Sequence, residues 1–161
     1  NKRGLDLDKI AKSYVDMINL ALEAKPKDMT ITMHICRGNF RSTWFSSGGY
    51  EPVAEILFGH CKVDGFFLEY DSERSGDFSP LRFIKDQKVV LGLITSKFAK
   101  LEDKEEVKKR IQEAEKYVAK EQLCLSPQCG FSSTEEGNIM TEDEQWAKVK
   151  LVKEIAEEVW R

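Results

Sequence analysis

The sequence predicts an α/β fold built from parallel (β/α) units, and two observations lead to this expectation. Four short apolar runs, at about residues 29–35, 63–69, 88–95 and 122–126, alternate with segments of helical periodicity. The first run is interpreted as a buried strand, and the third is apolar almost throughout, which is typical of a strand buried on both faces of a parallel sheet. Strands that alternate with helices form a parallel sheet with right-handed crossovers.

The predicted helices fall before and between these strands. Apolar residues recur at intervals of three and four over residues 6–24 and again over 103–120. A shorter helix with a proline in its first turn is expected at 50–58. The last helix is expected to begin after Thr141, because Glu144 follows three residues later, as in a capping box. The chain is therefore predicted to be one helix followed by four βα units.

The composition limits the function classes. The chain has 161 residues, 41% hydrophobic and 33% charged, with a net charge of −3, which suits one soluble domain over residues 1–161. The basic residues are dispersed, so no nucleic-acid partner is expected. No apolar run is long enough to cross a membrane, and no secretory signal is apparent, so we expect no membrane contact and a cytoplasmic location.

The cysteine content is compatible with a cytoplasmic location. The chain has four cysteines, and in a cytoplasmic protein they are expected to stay reduced. Cys61 ends a predicted helix and Cys124 lies within a predicted strand, so both are interpreted as structural. Cys36 and Cys129 lie at strand ends, where chemistry is more common.

Residues able to bind a metal collect at the carboxyl ends of three predicted strands. His34 and Cys36, two residues apart at the end of the first strand, should point the same way. Glu69 ends the second strand and Cys129 follows the fourth. These ends meet on one side of a parallel sheet, and a His, Cys, Glu, Cys set suits Zn²⁺ better than Ca²⁺ or Mg²⁺. The alternative is that Glu69 is an ordinary strand-end carboxylate and Cys129 a turn residue.

Three further residues near the same edge are candidates for substrate contacts. Lys97 and Arg74 could contact an anionic substrate, and the alternative is that they are solvated loop charges. Trp44 could stack on a flat ring, and burial against the rim of the sheet is the alternative.

Three ordered segments resemble the cobalamin-independent methionine synthase family, in its catalytic C-terminal domain. They are Met33-His34-Ile35-Cys36, Leu68-Glu69 followed by Glu73-Arg74-Ser75, and Ser126-Pro127-Gln128-Cys129-Gly130. The segments at 37–42 and 45–50 are similar to the short, single-domain bacterial relatives. The resemblance covers nearly the whole chain.

The resemblance implies a catalytic zinc bound by His34, Cys36, Glu69 and Cys129. It implies methyl transfer from a methyltetrahydrofolate, as the polyglutamate, to the thiolate of homocysteine, which makes methionine. Zinc would deprotonate the homocysteine thiol, and Glu69 would be the ligand that gives way to the substrate.

The resemblance also makes Arg74 and Ser75 candidates for substrate binding. The family's Glu-x-Ser-Arg-Ser run is stretched in this chain to Glu69-Tyr70-Asp71-Ser72-Glu73-Arg74-Ser75. The residues predicted to contact the substrate are therefore Arg74, Ser75 and Trp44.

The length of the chain departs from the family. The family's domain resembles a TIM (β/α)8 barrel, which needs about 250 residues, whereas this chain has four units. We therefore expect the C-terminal half of a barrel, strands five to eight. Open strand edges predict self-association or pairing with the missing half. Two alternatives stay open, a non-catalytic half-domain fragment and a related zinc thiol methyltransferase with another acceptor or donor.

Overall fold

The fold is an α/β arrangement around a single parallel sheet. The computed structural model describes Gly4 and residues 6–161. The helices are α1 (Leu7–Leu22), α2 (Ala54–His60), α3 (Lys104–Ala114) and α4 (Glu142–Val159). The strands are β1 (Thr32–Ile35), β2 (Gly65–Glu69), β3 (Lys88–Ile94) and β4 (Leu123–Pro127). Short 3-10 helices lie at Glu51–Val53, Glu73–Ser75, Ser79–Phe83 and Lys120–Gln122.

The sheet has the strand order β1-β2-β3-β4, and each neighbouring pair is parallel. The predicted class of parallel βα units is therefore confirmed, and the four strands are consistent with part of a (β/α)8 barrel. No helix in the described part of the chain combines the length and apolarity that a bilayer-spanning segment requires.

Helices α1, α3 and α4 begin where side chains cap free backbone N–H groups. Asp6 accepts a hydrogen bond from the backbone N–H of Lys9, and Thr141 and Glu144 form the predicted capping box at α4. Helix α3 ends at Ala114, six residues before the predicted end. The chain then continues in tight turns, in which the N–H of Val118 bonds to the carbonyl of Ala114.

The core lies between the sheet and the helices. Strand β3 is buried from Val89 to Ile94, as its apolar sequence predicts. A chain of aromatic rings packs beside it with centroid distances of 4.6 to 5.7 Å, and its members are Tyr50, Phe58, Phe66, Tyr70 and Phe78. This packing fixes the ends of β2 and its following loop.

Strand β1 differs from the expectation of a buried strand. Its residues alternate between exposed and half-buried, because β1 is at one edge of the sheet and pairs with β2 alone. Phe67 on β2 is also 36% exposed, so one face of the sheet is open here. An apolar sequence is compatible with either a central or an edge strand, which explains the wrong prediction.

Strands β3 and β4 approach closely at Gly92. A Cβ atom at this position would lie 2.7 Å from the Cα of Gln128 and 2.8 Å from the carbonyl oxygen of Leu68. The pairing register also shifts between Gly92 and Ile94. Glycine is therefore required at the point where β4 turns towards Cys129.

Candidate metal centre

Three of the predicted ligands meet at the carboxyl edge of the sheet. The ligand atoms of His34, Cys36 and Cys129 all lie within 4.8 Å of one another, and His34 Nε2 is 3.3 Å from Cys129 Sγ. His34 belongs to β1 and Cys129 follows β4, the two edge strands. Three strand spacings across a flat sheet would separate them by roughly 14 Å. The sheet must therefore curve strongly to bring its two edges together.

The turn after β1 presents Cys36 to this group. Gly38 has a φ of +98°, and a side chain there would meet the backbone nitrogen of Phe45 at 2.9 Å, so glycine is needed. The backbone N–H of Gly38 lies 3.4 Å from Cys36 Sγ and donates to it. The hydrogen bond fixes the position of the Cys36 sulfur at the start of this turn.

Glu69, the fourth predicted ligand, is fully buried and does not belong to the group formed by His34, Cys36 and Cys129. Its Oε2 accepts a hydrogen bond of 2.7 Å from the backbone N–H of Arg37, and its Oε1 lies 2.8 Å from Nη2 of Arg74. The carboxylate raises the pKa values of both His34 and Cys129, although burial is the larger influence on each. The structure thus pairs Glu69 with Arg74.

The surroundings of His34 and Cys129 favour their neutral forms in the absence of a cation. Burial, and next the neighbouring Cys36 thiol, raise the pKa of Cys129 to about 12. Burial also lowers the pKa of His34, against the opposing effect of Glu69. One imidazole and two thiols at this spacing are donors that zinc prefers, because zinc binds nitrogen and sulfur in tetrahedral sites. Glu69 Oε1 is buried and has Arg74 as its charged partner, so a metal that binds this oxygen would compete with the ion pair.

A buried charge cluster adjoins the three ligand residues. Arg74 Nη2 lies 3.1 Å from Asp71 Oδ1, and Lys97 Nζ lies 3.8 Å from Glu69 Oε1 and 3.7 Å from Asp71 Oδ2. The Lys97 side chain is fully buried and the Arg74 side chain is 13% exposed. The interpretation of Lys97 and Arg74 as solvated loop charges is therefore wrong. Lys97 lies three residues after the carboxyl end of β3, and its place among the candidates for substrate contacts stays a prediction.

Two other candidate residues lie near this cluster. The Trp44 ring is half exposed, with the guanidinium of Arg74 4.7 Å from its centroid, so it stacks on a cation and is not buried at the rim. Ser75 is fully buried, and its hydroxyl has no hydrogen-bond partner among the described residues. Cys61 is a buried free cysteine and Cys124 a half-buried one, and neither belongs to the group of three.

Comparison with known proteins assigns the family. The model for the catalytic domain of cobalamin-independent synthases matches residues 3–158. The chain belongs to this family. Two Bacillus subtilis (strain 168) proteins, both described as uncharacterized, match over 160 residues. YxjH is 58% identical and YxjG 55% identical, and each match covers 98% of this chain and 42% of the relative.

Solved structures agree with this assignment. A candidate vitamin-B12-independent methionine synthase from Listeria monocytogenes aligns with a TM-score of 0.76 and 43% identity, covering 98% of this chain and 43% of that one. A B12-independent methionine synthase from Shewanella sp. W3-18-1, solved with selenomethionine, aligns with a TM-score of 0.68. Its 22% identity supports the fold alone, over 92% of this chain and 46% of that one. The chain thus spans less than half the length of each of these relatives.

Proposed function

We propose that the protein containing this chain transfers a methyl group from a methyltetrahydrofolate polyglutamate to the thiol of homocysteine, which makes methionine. The observation that carries the proposal is the convergence of His34, Cys36 and Cys129 from opposite edges of the sheet, in a chain of the cobalamin-independent synthase family. These residues would hold zinc, with Glu69 as the fourth ligand. The proposed location of the protein is the cytoplasm.

The site residues have two roles: some would bind the metal, and Arg74 would compensate the charge of Glu69. Bound zinc would lower the pKa of the homocysteine thiol so that a reactive thiolate is present at neutral pH. Glu69 accepts the N–H of Arg37 through Oε2, and its Oε1 is ion-paired with Arg74 at 2.8 Å. This arrangement supports Glu69 as a ligand that can bind and withdraw while Arg74 compensates its charge.

The substrate contacts are also a proposal. Arg74 lies between Glu69 and the ring of Trp44. A substrate next to the ligand residues would therefore also contact Arg74 and Trp44. We assign Ser75 a supporting contact, because its buried hydroxyl lies in the same short helix as Arg74. The remaining wall of the substrate site would come from the rest of the protein, since the chain spans less than half of its relatives.

The test is metal content and turnover of the full-length protein. Cys36→Ser and Cys129→Ser should each lower zinc from about one ion per chain to a small fraction and abolish methionine formation. Cys124→Ser is the matched control, because this free cysteine lies in β4 and outside the ligand group. It should retain both zinc and activity.

Two outcomes would contradict the proposal. Undiminished zinc in both Cys36→Ser and Cys129→Ser would remove the metal assignment. Full zinc without methionine formation from methyltetrahydrofolate and homocysteine would remove the assigned reaction and leave the metal site.

A further inference from the structure

A small cavity lies beside the ligand residues, on the side of the charge cluster. Its volume is about 210 Å³. Its lining combines the exposed rings of Trp44 and Phe98, the donors Ser72, Arg74 and Lys97, and the carboxylate of Asp71, which is paired with Arg74 and Lys97. The aromatic residues come from the loops after β1 and β3, so the cavity opens between two of the loops that surround the carboxyl edge of the sheet.

Hydrogen-bond donors with no acceptor surround this cavity. Arg74 Nη1, Lys97 Nζ and Ser72 Oγ are all buried, and none has a hydrogen-bond partner among the described residues. Buried donors are destabilising unless an acceptor meets them. Three such groups on one cavity indicate a ligand that supplies several acceptor oxygens.

The charges identify the class of that ligand. The carboxylate oxygens nearest to Lys97 Nζ, from Glu69 and Asp71, are 3.8 and 3.7 Å away, well beyond the 2.7–2.9 Å of a charge-assisted hydrogen bond. Arg74 and Lys97 together balance Glu69 and Asp71. If Glu69 binds a metal, one positive charge at the cavity loses its compensation, and an anion restores the balance.

The size and walls of the cavity restrict the anion further. A volume of about 210 Å³ is below the 300–1,000 Å³ typical of sites for drug-sized ligands, so the cavity admits a short group and not a fused ring system. Trp44 and Phe98 are 50% and 56% exposed and can cover an aliphatic chain. A planar carboxylate on a short chain fits these conditions, because an arginine and a lysine can bind its two oxygens together.

We propose that this cavity is a carboxylate subsite, in which Lys97, Arg74 and Ser72 bind a carboxylate of the substrate. The identity of the substrate rests on the proposed function. Both substrates of that reaction carry the required chemistry, since homocysteine has an α-carboxylate and the folate has glutamate carboxylates. The experiment must therefore separate these two sources.

The experiment is calorimetric titration of the zinc-loaded, full-length protein with two matched pairs of ligands. Homocysteine is compared with 3-aminopropane-1-thiol, which lacks the carboxylate, and methyltetrahydropteroyl triglutamate with the primary amide of methyltetrahydropteroate, which lacks the glutamates and has no carboxylate. Glutarate serves as a dicarboxylate probe that is independent of the reaction. The variant is Lys97→Met, and the control is Lys100→Met, which removes an exposed lysine from the same loop.

We expect Lys97→Met to weaken glutarate and one of the two carboxylate substrates about ten- to a hundredfold, the range for losing a hydrogen bond to a charged group. The carboxylate-free analogue of that substrate and the Lys100→Met control should be unaffected. The pair that responds identifies the carboxylate. Ser72→Ala removes a hydroxyl that has no partner, so it should leave the fold intact and weaken the same ligands a few-fold.

Equal weakening of a substrate and its carboxylate-free analogue would overturn the subsite, and so would unchanged affinity in both Lys97→Met and Ser72→Ala. Failure of the wild-type protein to bind any of the carboxylate probes would also overturn it. A protein that binds glutarate through Lys97 but makes no methionine would count against the proposed reaction and support the subsite. Zinc content measured on each variant separates either result from loss of the metal.

Discussion

The ion pair between Arg74 and Glu69 allows a sharp test of the buried charge cluster, because the chain contains an exposed counterpart. The side chains of Arg74 and Glu69 are 13% and 0% exposed, whereas those of Arg82 and Glu51 are 43% and 54% exposed. Both arginines lie in short 3-10 helices and direct Nη2 at a glutamate oxygen. Replacing each by methionine removes the charge and keeps an unbranched side chain.

The expected magnitude follows from what each variant leaves behind. Arg74→Met leaves buried Glu69 and Asp71 with Lys97 alone, at 3.8 and 3.7 Å. Removing one partner of a buried ion pair costs about 3–5 kcal/mol, and Lys97 and the N–H of Arg37 keep the loss near the lower bound, about 3 kcal/mol. Arg82→Met should cost much less, because water solvates the carboxylate that it exposes.

The assay is urea denaturation of the metal-free, full-length protein at pH 7, followed by circular dichroism. Repeating Arg74→Met in a Glu69→Gln background should reduce its cost, because the uncompensated carboxylate is gone. Equal losses for Arg74→Met and Arg82→Met would show that the buried pair does not hold Glu69. An unchanged cost in the Glu69→Gln background would refute the same reasoning.

Four further predictions concern packing, acid stability, metal uptake and the isolated chain. Gly92→Ala should lower the free energy of unfolding by about 1–3 kcal/mol, because the new methyl group overpacks the sheet. Gly59 lies in helix α2 and a Cβ there would meet nothing within 4 Å, so Gly59→Ala should leave the free energy of unfolding unchanged or raise it. Urea denaturation measures both. The N–H of Ile31 and next the ammonium of Lys25 lower the pKa of Asp64, so the stability it contributes is present above the usual pKa and lost as pH falls through the lowered value; acid titration of Asp64→Asn should lack that loss. Burial raises the pKa of the Cys129 thiol to about 12, so zinc uptake at pH 7 should release its proton. Zinc affinity should therefore fall at least about tenfold for each unit by which the pH decreases. Calorimetry in buffers of different ionisation enthalpy measures the released proton. Residues 1–161 alone, supplied with zinc, should form no methionine, because aligning the reacting groups, worth about 7–11 kcal/mol, also needs contacts from the rest of the protein; turnover equal to that of the full-length protein would contradict this.

Local and topological rules were sufficient to predict most of the fold. The strands follow from apolar runs, and the capping box at Thr141 follows from a spacing of three residues. Parallel topology predicts that His34 and Cys129 lie at the same edge of the sheet, because every strand ends there, and the curvature of the sheet then brings the two side chains together.

The burial of charged residues could not be predicted in this way. Lys97, which follows β3, is buried because Glu69 and Asp71, at the end of β2, compensate its charge. That compensation depends on distances between loops, which the spacing of residues in the sequence does not report. The exposure of β1 was unpredictable for a similar reason, since an apolar run is the same whether its strand has one neighbour or two.

His34 and Cys129 are close together only because the sheet is curved, so the geometry of the site depends on that curvature. A metal held by both side chains would link the first strand of the sheet directly to its last, and so would act as a clasp across the concave face. Metal affinity and sheet shape would then be thermodynamically linked: a substitution that flattens the sheet, such as one at Gly92 in β3, would weaken binding, and an ion in place would resist flattening. A change of metal could in that case be detected as a change in the rate of amide hydrogen exchange in β2 and β3, the two strands that contribute none of these three donors.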